Sequence, residues 1–269
     1  MLKLYDQYRS YFSETSLKEL CALDGEIFKL IQNRRTFRVE RDGRGFFIKC
    51  HHGVGWREII KNLLQLRLPI LGAGNEWRAI HRLRELGVET MTPVAYGQGG
   101  WNPAAIDSLL ITEELQGCVS LERYCEEWLN TPPLPCSKRV LIKRLAQIAR
   151  TMHENGVNHR DFYLCHFLLQ QPWDGTEADL HIHVIDLHRV QVRNSVPRRW
   201  VVKDIGSLWF SAMLLGLTER DLFRFMRDYS GVSLRQTLKQ DAEFWSEVDA
   251  RAKALDATRP APKSQEVEV

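Results

Sequence analysis

The stretch MHENGVNHRDFYLCHFLL, residues 152–169, decides the fold. Apolar residues recur at helical spacing on its upstream side: Leu141, Leu145, Ile148 and Met152. This spacing predicts one buried face of a helix, and Gly156 predicts where that helix ends. The polar triplet His159-Arg160-Asp161 then opens a loop that leads into a short apolar run. A carboxylate held on a loop between a buried helix and a strand is well placed for chemistry.

A second carboxylate follows in VIDLHR, where Asp186 comes directly after an apolar strand. Phosphoryl transfer needs one carboxylate to accept the hydroxyl proton and another to hold magnesium on the phosphates. H-R-D followed by an Asp at the end of a strand fits the catalytic loop and metal-binding Asp of protein kinases. Either aspartate alone would more simply be a turn residue. Their order together predicts Asp161 as the base and Asp186 as the Mg²⁺ ligand.

The amino half contains the matching parts of an ATP site. Lys49 closes the apolar strand FFIK, and Glu76 opens the next helix, where it can pair with that lysine. The segment LLITEEL predicts the hinge between two lobes, with the Glu113 carbonyl and the Leu115 amide as contacts for adenine. Alone, Lys49 would be an exposed strand lysine. The order of strand Lys, helix Glu, hinge, HRD and Asp favours the nucleotide site.

Several positions depart from a standard protein kinase. No G-x-G-x-x-G precedes Lys49, and the first turn instead carries Arg34 and Arg35, whose guanidinium groups can contact phosphate. His166 stands where a kinase has its second metal-binding Asn, and we expect it to donate to a phosphate, although its role stays open. Asp204, in KDIGSLW, is predicted to brace the HRD backbone.

The order of elements predicts an α+β class and a bilobal protein-kinase-like fold, with a small β-rich N-lobe and a mostly helical C-lobe. The expected organisation is a helical lead-in over 1–24, the N-lobe over 25–115, the C-lobe over 116–250 and a disordered tail over 251–269. Asn75 is expected to cap the helix that contains Glu76.

Composition excludes several function classes. With 44% hydrophobic and 26% charged residues, the chain reads as an ordinary globular protein. Its 37 basic and 34 acidic residues give a net charge of +3, too small to indicate nucleic acid as a partner. The six cysteines form no C-x-x-C pair and the N-terminus lacks an apolar signal region, which predicts a cytoplasmic protein with reduced thiols. His181-x-His183 and His51-His52 lack partners at zinc spacing.

Several stretches together resemble the bacterial lipopolysaccharide core kinase family, and most closely its heptose(I) kinases. They are RRTFR (34–38), EIIKNLLQLRLPILGA (58–73), AIHRLRELGV (79–88), HRDFYLCHFLL, VIDLHR and VPRRW (196–200). The resemblance implies ATP and Mg²⁺ as cofactors. It also implies phosphorylation of a heptose hydroxyl in the inner core attached to lipid A, at the cytoplasmic face of the inner membrane of a Gram-negative bacterium. The pair Cys165-His166 is typical of that family.

Such an acceptor is anionic and carries acyl chains, and two segments suit it. Residues 56–68 place apolar side chains on one side of a predicted helix, which favours contact with a membrane or an acyl chain, although simple packing on the N-lobe is the alternative. Arg193, Arg198 and Arg199, close after Asp186, are expected to grip phosphates or carboxylates of the acceptor. Solvated surface charge is the alternative for these arginines.

Three other functions stay open on the residues alone. One is a kinase acting on protein, including tyrosine side chains. A second is a relative acting on another lipopolysaccharide sugar, such as Kdo or the second heptose. A third is a non-catalytic binding module derived from a kinase, against which the joint presence of Lys49, Asp161 and Asp186 argues.

Overall fold

The structure is a computed structural model that describes residues 2–14, 16–31, 33–53, 55–64 and 72–259, with only the backbone of Glu58, Asn62, Leu63 and Pro103. Its described strands are β1 (Leu2–Leu4), β2 (Glu26–Ile31), β3 (Arg34–Arg41), β4 (Arg44–His51), β5 (Pro93–Gly99), β6 (Asp107–Glu113), β7 (Cys118–Ser120), β8 (Val157–Asn158), β9 (Phe167–Gln170), β10 (Ile182–Val184) and β11 (Gln191–Val192). Its described helices are α1 (Leu17–Cys21), α2 (Gly55–Leu64), α3 (Gly74–Glu85), α4 (Leu121–Tyr124), α5 (Pro135–Glu154), α6 (Arg198–Ala212), α7 (Glu219–Ser230), α8 (Leu234–Gln240) and α9 (Ala242–Asp256).

The small lobe is built on one antiparallel sheet of order β1-β5-β6-β4-β3-β2. The predicted strand FFIK is part of β4, and β3 joins β4 through a turn at Asp42-Gly43, where both residues have positive φ of 50° and 74°. Asp-Gly suits such a turn because both central residues must adopt the left-handed region. Apart from β1, the strands of this sheet lie within the segment predicted to form the β-rich N-lobe.

Side chains of β4 alternate between two different environments. Phe46 and Ile48 face outward into a core completed by Tyr8, Phe12 and Leu20 of the first residues of the chain. Adjacent strand residues point to opposite faces, so Lys49 faces inward. The lead-in predicted over 1–24 is helical in part, since it contains α1, but it is not separate from the small lobe. This segment contains β1, which pairs with β5, and it covers the outer face of the sheet because that face is apolar.

Cys21 and Cys50 form a disulfide that links α1 to β4, with 5.9 Å between their Cα atoms. The expectation of six reduced thiols is therefore wrong for this pair, because sequence spacing does not reveal that α1 packs against β4. The remaining four cysteines are free thiols.

The large lobe surrounds α5. The predicted apolar face of this helix is confirmed, since Leu141, Ile148 and Met152 are nearly or fully buried. Helix α7 packs on α5, and α9 packs on α6. Strand β9 pairs with β10 in antiparallel register beside these helices. Together these elements give the predicted mostly helical second lobe.

Two predictions about helix ends need correction. Ala73 is the N-cap of α3, so Asn75 lies inside the helix, and its side-chain amide donates to the carbonyls of His188 and Val190 at 2.9 and 2.7 Å. Helix α9 continues to Asp256, past the expected start of a disordered tail at 251, because its apolar residues pack on α6. The remaining tail positions 260–269 lie outside the described residues.

No helix among the described residues has both the length and the apolar character needed to cross a bilayer.

Candidate active site

Lys49 and Glu76 form an ion pair across the inner face of the small lobe, as the sequence predicted. The Lys49 Nζ lies 2.5 Å from the Glu76 Oε1, and the two side chains are 12% and 1% exposed. Strand alternation turns Lys49 inward, and α3 buries Glu76 against it. A buried carboxylate needs a charged or hydrogen-bonding partner. The pair therefore fixes the position of the lysine ammonium group in the space between the lobes.

The catalytic loop is held by Asp204 of α6. This carboxylate is fully buried and accepts the backbone amides of His159 and Arg160 at 2.6 and 2.8 Å. Arg160 has a φ of 76°, a conformation that is costly for a residue with a side chain. The two hydrogen bonds to Asp204 stabilise that conformation. The bracing predicted from KDIGSLW is confirmed.

Asp161 follows this loop and is 16% exposed. Its Oδ1 accepts a hydrogen bond from the Arg189 guanidinium at 2.8 Å. Lys203 lies close by, with its ammonium group donating to the Arg160 carbonyl. Burial lowers the pKa of Lys203, and the negative charge of Asp161 partly opposes that effect. Asp161 is thus held as an oriented carboxylate with cations beside it.

Asp186 adopts the left-handed conformation, with φ of 59° and ψ of 50°. His188 Nδ1 donates to its Oδ1 at 2.6 Å, and His166 Nε2 lies 3.5 Å from its Oδ2. Burial alone would raise the pKa of the Asp186 carboxyl. The hydrogen bond and charge of His188, with the charges of Lys49 and His166, instead hold that pKa well below its usual range. Asp186 is therefore ionised at neutral pH.

His166 connects the two carboxylate-bearing segments. Its Nδ1 donates to the Asp161 carbonyl at 2.7 Å, while its Nε2 faces Asp186. Burial opposes a charge on this ring. The Cys165 side chain, the Asp161 carbonyl and the charge of Asp186 nevertheless raise the pKa of His166 to about 9. As an imidazolium the ring can only donate, which suits contact with an anion better than with a metal ion.

The two arginines of the first turn lie on opposite faces of the sheet. Arg34 pairs in register with His51 and shares the face of Lys49. Arg35 pairs with the buried Cys50, and its guanidinium donates to the carbonyls of Cys21 and Leu23 at 3.1 Å each. Arg35 is therefore not brought to the cleft, because strand alternation directs it to α1 and the residues after it. Of the two predicted phosphate contacts, only Arg34 has a suitable position.

The predicted hinge does connect the two lobes. Glu113 ends β6, and its amide donates to the Thr92 carbonyl at 2.9 Å. Leu115 packs against the core of the large lobe. The backbone groups proposed to contact adenine therefore belong to the link between the lobes.

The three predicted acceptor arginines are separated. Arg198 pairs with Glu243 and Glu247 of α9 at 3.3 and 3.1 Å, so its guanidinium is already engaged with carboxylates. The Arg199 guanidinium lies 5.5 Å from the centre of the Trp200 ring. Only Arg193 lines a cleft next to the catalytic loop. The prediction for Arg198 is corrected because α9, distant in sequence, supplies its partners.

The carboxylate of Asp186 suits a magnesium ion that is bound together with a nucleotide. Among the described residues there is no cluster of three or more His, Cys, Asp or Glu side chains at metal-binding distances. Mg²⁺ is commonly bound through one or two carboxylates together with substrate phosphates and water, not by a complete protein cage. The ionised Asp186 suits that arrangement.

Three residues make contacts near the site that the sequence did not predict. Arg189 contacts the Asp161 carboxylate, Lys203 contacts the Arg160 carbonyl, and Asn75 joins α3 to the segment after Asp186. Arg189 closes the motif VIDLHR, so its nearness to Asp186 was the available signal. Asn75 was expected as a helix cap and Lys203 as a basic residue near the acceptor arginines, and their observed contacts were not predicted because both join segments that are distant in sequence.

Comparison with known proteins agrees with this geometry. The model of the lipopolysaccharide kinase (Kdo/WaaP) family matches residues 18–229. The chain belongs to this family.

Two relatives and one solved structure show how far the family likeness extends. The lipopolysaccharide core heptose(I) kinase WaaP of Escherichia coli is 51% identical over 235 residues, covering 87% of this chain and 89% of that protein. WaaP of Pseudomonas aeruginosa is 47% identical over 234 residues, covering 87% of each. A solved WaaP in complex with acyl carrier protein superposes with a TM-score of 0.81 at 40% identity, covering 95% of this chain and 99% of that one. The bilobal protein-kinase-like fold is thereby confirmed, and with it a phosphotransferase class that uses ATP.

Replacing Asp204 with Ala tests the bracing of the catalytic loop. The change leaves two buried amides without acceptors, and each costs about 1–3 kcal/mol, so we expect the free energy of unfolding to fall by roughly 2–5 kcal/mol. Urea denaturation measures it. Asp256→Ala is the matched control on α9, where a part-exposed pair with Arg259 predicts a change below about 1 kcal/mol. A loss no larger than that of the control would contradict the bracing role.

Proposed function

We propose that this chain transfers the γ-phosphoryl group of ATP to a hydroxyl of the first inner-core heptose of lipopolysaccharide. The observation that carries the proposal is the nearness of three groups: the Lys49–Glu76 pair, the ionised Asp186 that feels the charge of Lys49, and Asp161, whose segment His166 joins to Asp186. This is the set of groups that kinases use for phosphoryl transfer. The names of the relatives, heptose(I) kinases that are about half identical in sequence, support the choice of acceptor.

In this proposal the nucleotide lies against the inner face of the small lobe. Lys49, positioned by Glu76, neutralises phosphate charge, and Arg34 and His166 donate to phosphate oxygens. The Glu113 carbonyl and Leu115 amide bind adenine. Asp186 would hold Mg²⁺, which when bound supplies positive charge against the β- and γ-phosphates.

Asp161 acts as the general base. Its carboxylate accepts the proton of the attacking hydroxyl while the hydroxyl oxygen bonds to the γ-phosphorus and the bond to the β-phosphate oxygen breaks. The hydrogen bond from Arg189 to Oδ1 fixes the orientation of the carboxylate and leaves Oδ2 for the acceptor. Positioning of this kind is the main contribution a protein makes to phosphoryl transfer.

Asp161→Ala removes the proton acceptor. We expect kcat to fall by about 10²–10⁴-fold with the affinity for ATP largely kept, since the base does not hold the nucleotide. The assay incubates pure protein with magnesium, ATP and dephosphorylated core lipid, and NMR locates the new phosphate. Turnover at a near-parental rate would refute the assignment of the base. A phosphate on Kdo, on the second heptose or on protein tyrosine would instead refute the assignment of the acceptor.

Asp186→Ala tests the metal ligand separately from the base. Titration calorimetry with ATP, in the presence and in the absence of magnesium, measures the part of the binding that depends on the metal. We expect the parental protein to bind ATP more tightly with magnesium and the variant to lose that difference. Asp161→Ala serves as the control that keeps it. An unchanged magnesium dependence in the Asp186 variant would show that other groups hold the metal.

The partner of this reaction is amphiphilic, and we propose that α2 contacts the membrane surface at the cytoplasmic face of the inner membrane. Ile59 is buried, whereas Trp56, Ile60 and Leu64 are 55%, 52% and 81% exposed. These three lie one turn apart on the outer side of the helix. An exposed apolar stripe beside Arg57 and Lys61 is typical of a helix that lies in the interface of an anionic membrane. The predicted continuation over 65–68 lies outside the described residues.

We further propose an acyl-bearing carrier as a binding partner, since the solved WaaP is a complex with acyl carrier protein. A cavity of about 200 Å³ between α5, α6, α7 and α9 offers a place for its chain. Its lining is almost entirely apolar, as the side chains of Leu208, Ala212 and Phe225 illustrate. An apolar site of this kind suits an alkyl chain better than a sugar.

Two variants test the membrane contact of α2 and the acyl cavity independently. Trp56→Ser/Ile60→Ser/Leu64→Ser removes the outer stripe of α2, and we expect it to lose flotation with vesicles of anionic phospholipid while still binding palmitoylated acyl carrier protein. Ala212→Phe fills the cavity, and we expect the opposite pattern. Each variant is the control for the other, and circular dichroism checks that both fold. If the α2 variant floats like the parental protein, α2 is not the membrane contact. If Ala212→Phe binds the carrier normally, the cavity is not the acyl site.

A further inference from the structure

A second cleft, of about 1050 Å³, opens beside the catalytic loop. Its walls are the first turns of α3, the facing ends of β5 and β6, and the segment 189–193 that follows Asp186. Lys49, Glu76 and Asp186 do not line it, so it is separate from the proposed nucleotide site. Arg189 belongs to both regions, because it lines this cleft and also contacts Asp161. Anything bound in the cleft is therefore a direct neighbour of the base.

The charged side chains that line this cleft are all basic. Four arginines line it: Arg78, Arg160, Arg189 and Arg193. No aspartate or glutamate is among the described residues of its lining. The chain as a whole nearly balances its charges, with 37 basic against 34 acidic residues, so the cleft departs from the average. A concave surface with cations of one sign only attracts an anion.

Two of these arginines are available to a ligand. Arg189 bonds to Asp161, and the Arg160 guanidinium lies 5.0 Å from the centre of the Trp200 ring. Arg78 and Arg193 are exposed, and neither has a carboxylate within ion-pair distance in the described part of the chain. Within the described part of the chain, the Arg193 guanidinium donates to the neutral side chain of Gln191 at 2.7 Å.

The walls of the cleft are fixed before any ligand arrives. Asn75 joins α3 to the segment 188–190 through two hydrogen bonds. At the other end, the Arg193 amide donates to the Gly156 carbonyl at 2.9 Å. Gly156 has a φ of 77°, and a Cβ there would collide with the Arg193 carbonyl, so only glycine suits this contact. Rigid walls reduce the entropy that binding must overcome.

We infer that this cleft, between α3 and residues 189–193, binds the acidic groups of the acceptor through Arg78 and Arg193. The inference rests on the proposed function, because it specifies which part of the acceptor is recognised. The ligands are carboxylates or phosphates on sugars adjacent to the one that reacts, and the planar guanidinium binds both in bidentate fashion. Trp77 and Tyr96, stacked with 5.4 Å between ring centres, supply an aromatic wall against which a sugar ring can pack.

The test compares two acceptors. One is the core lipid with its sugar carboxylates free, and the other is the same lipid with those carboxylates converted to methyl esters. With the free acid, we expect Arg78→Gln and Arg193→Gln each to raise the acceptor KM about tenfold, because each substitution removes one charge-assisted hydrogen-bonding partner. The kcat and the KM for ATP should stay within about twofold, because neither arginine touches the base. Arg220→Gln, an exposed arginine on α7, is the matched control.

The esterified acceptor then identifies the group that is recognised. If the arginines bind carboxylates, esterification raises the KM of the parental protein, and the two variants lose nothing further with the ester. If the variants weaken both acceptors equally, phosphate is the bound group, and removing the acceptor's other phosphates should abolish the difference. Acceptor KM values within twofold of the parental protein for both variants would overturn the inference while the proposed function stood.

Failure of the proposed function has a different signature. In that case the parental protein transfers no phosphate to either acceptor. Calorimetry with the acidic core lipid and no ATP then tests the cleft directly. Binding lost in the double variant Arg78→Gln/Arg193→Gln but kept in Arg220→Gln supports the anion site, and equal binding by all three proteins overturns it.

Discussion

A buried carboxylate organises the active site of this protein. Asp204 has no exposed surface, and it is satisfied by the amides of His159 and Arg160. A charged acceptor strengthens each of these hydrogen bonds, and burial makes their loss expensive. Arg160 keeps its left-handed backbone conformation only because both amides have this hydrogen-bond acceptor. The direction of Asp161, and through it the contacts of Arg189 and His166, follows from that one arrangement.

The charges between the lobes are arranged to receive an anion. Lys49 is held by Glu76, and His166 carries a positive charge at neutral pH. His51 lies on the same strand face, yet burial and the charge of Arg34 lower its pKa to about 4, so it stays neutral. The positive charge is thus concentrated at Lys49, Arg34 and His166 and is not spread over every basic side chain of the face. A bound triphosphate would relieve the mutual repulsion of these cations.

The sequence predicted the parts of the site that depend on local order. Motif spacing along the chain fixes the place of these parts in the fold: the HRD triplet, Asp186, the Lys49–Glu76 pair and the bracing Asp204. Contacts made by distant packing were not predictable in this way. Arg35 turned to α1, Arg198 turned to α9, and the first residues of the chain covered the outer face of the sheet. Each of these contacts depends on which part of the folded chain packs against the residue. The order of residues along the sequence does not give that information.

The segment that follows Asp186 is held by hydrogen bonds to the rest of the fold. In many protein kinases a long loop at this position is ordered by phosphorylation and then presents a peptide platform. Here the segment is already ordered, because β11 pairs with β8 and Asn75 binds the carbonyls of His188 and Val190. Phosphorylation would therefore add no order to this segment, because hydrogen bonds already hold it in place. The same wall forms one side of a concave cleft lined by arginines, a shape that suits a branched, acidic sugar better than an extended peptide.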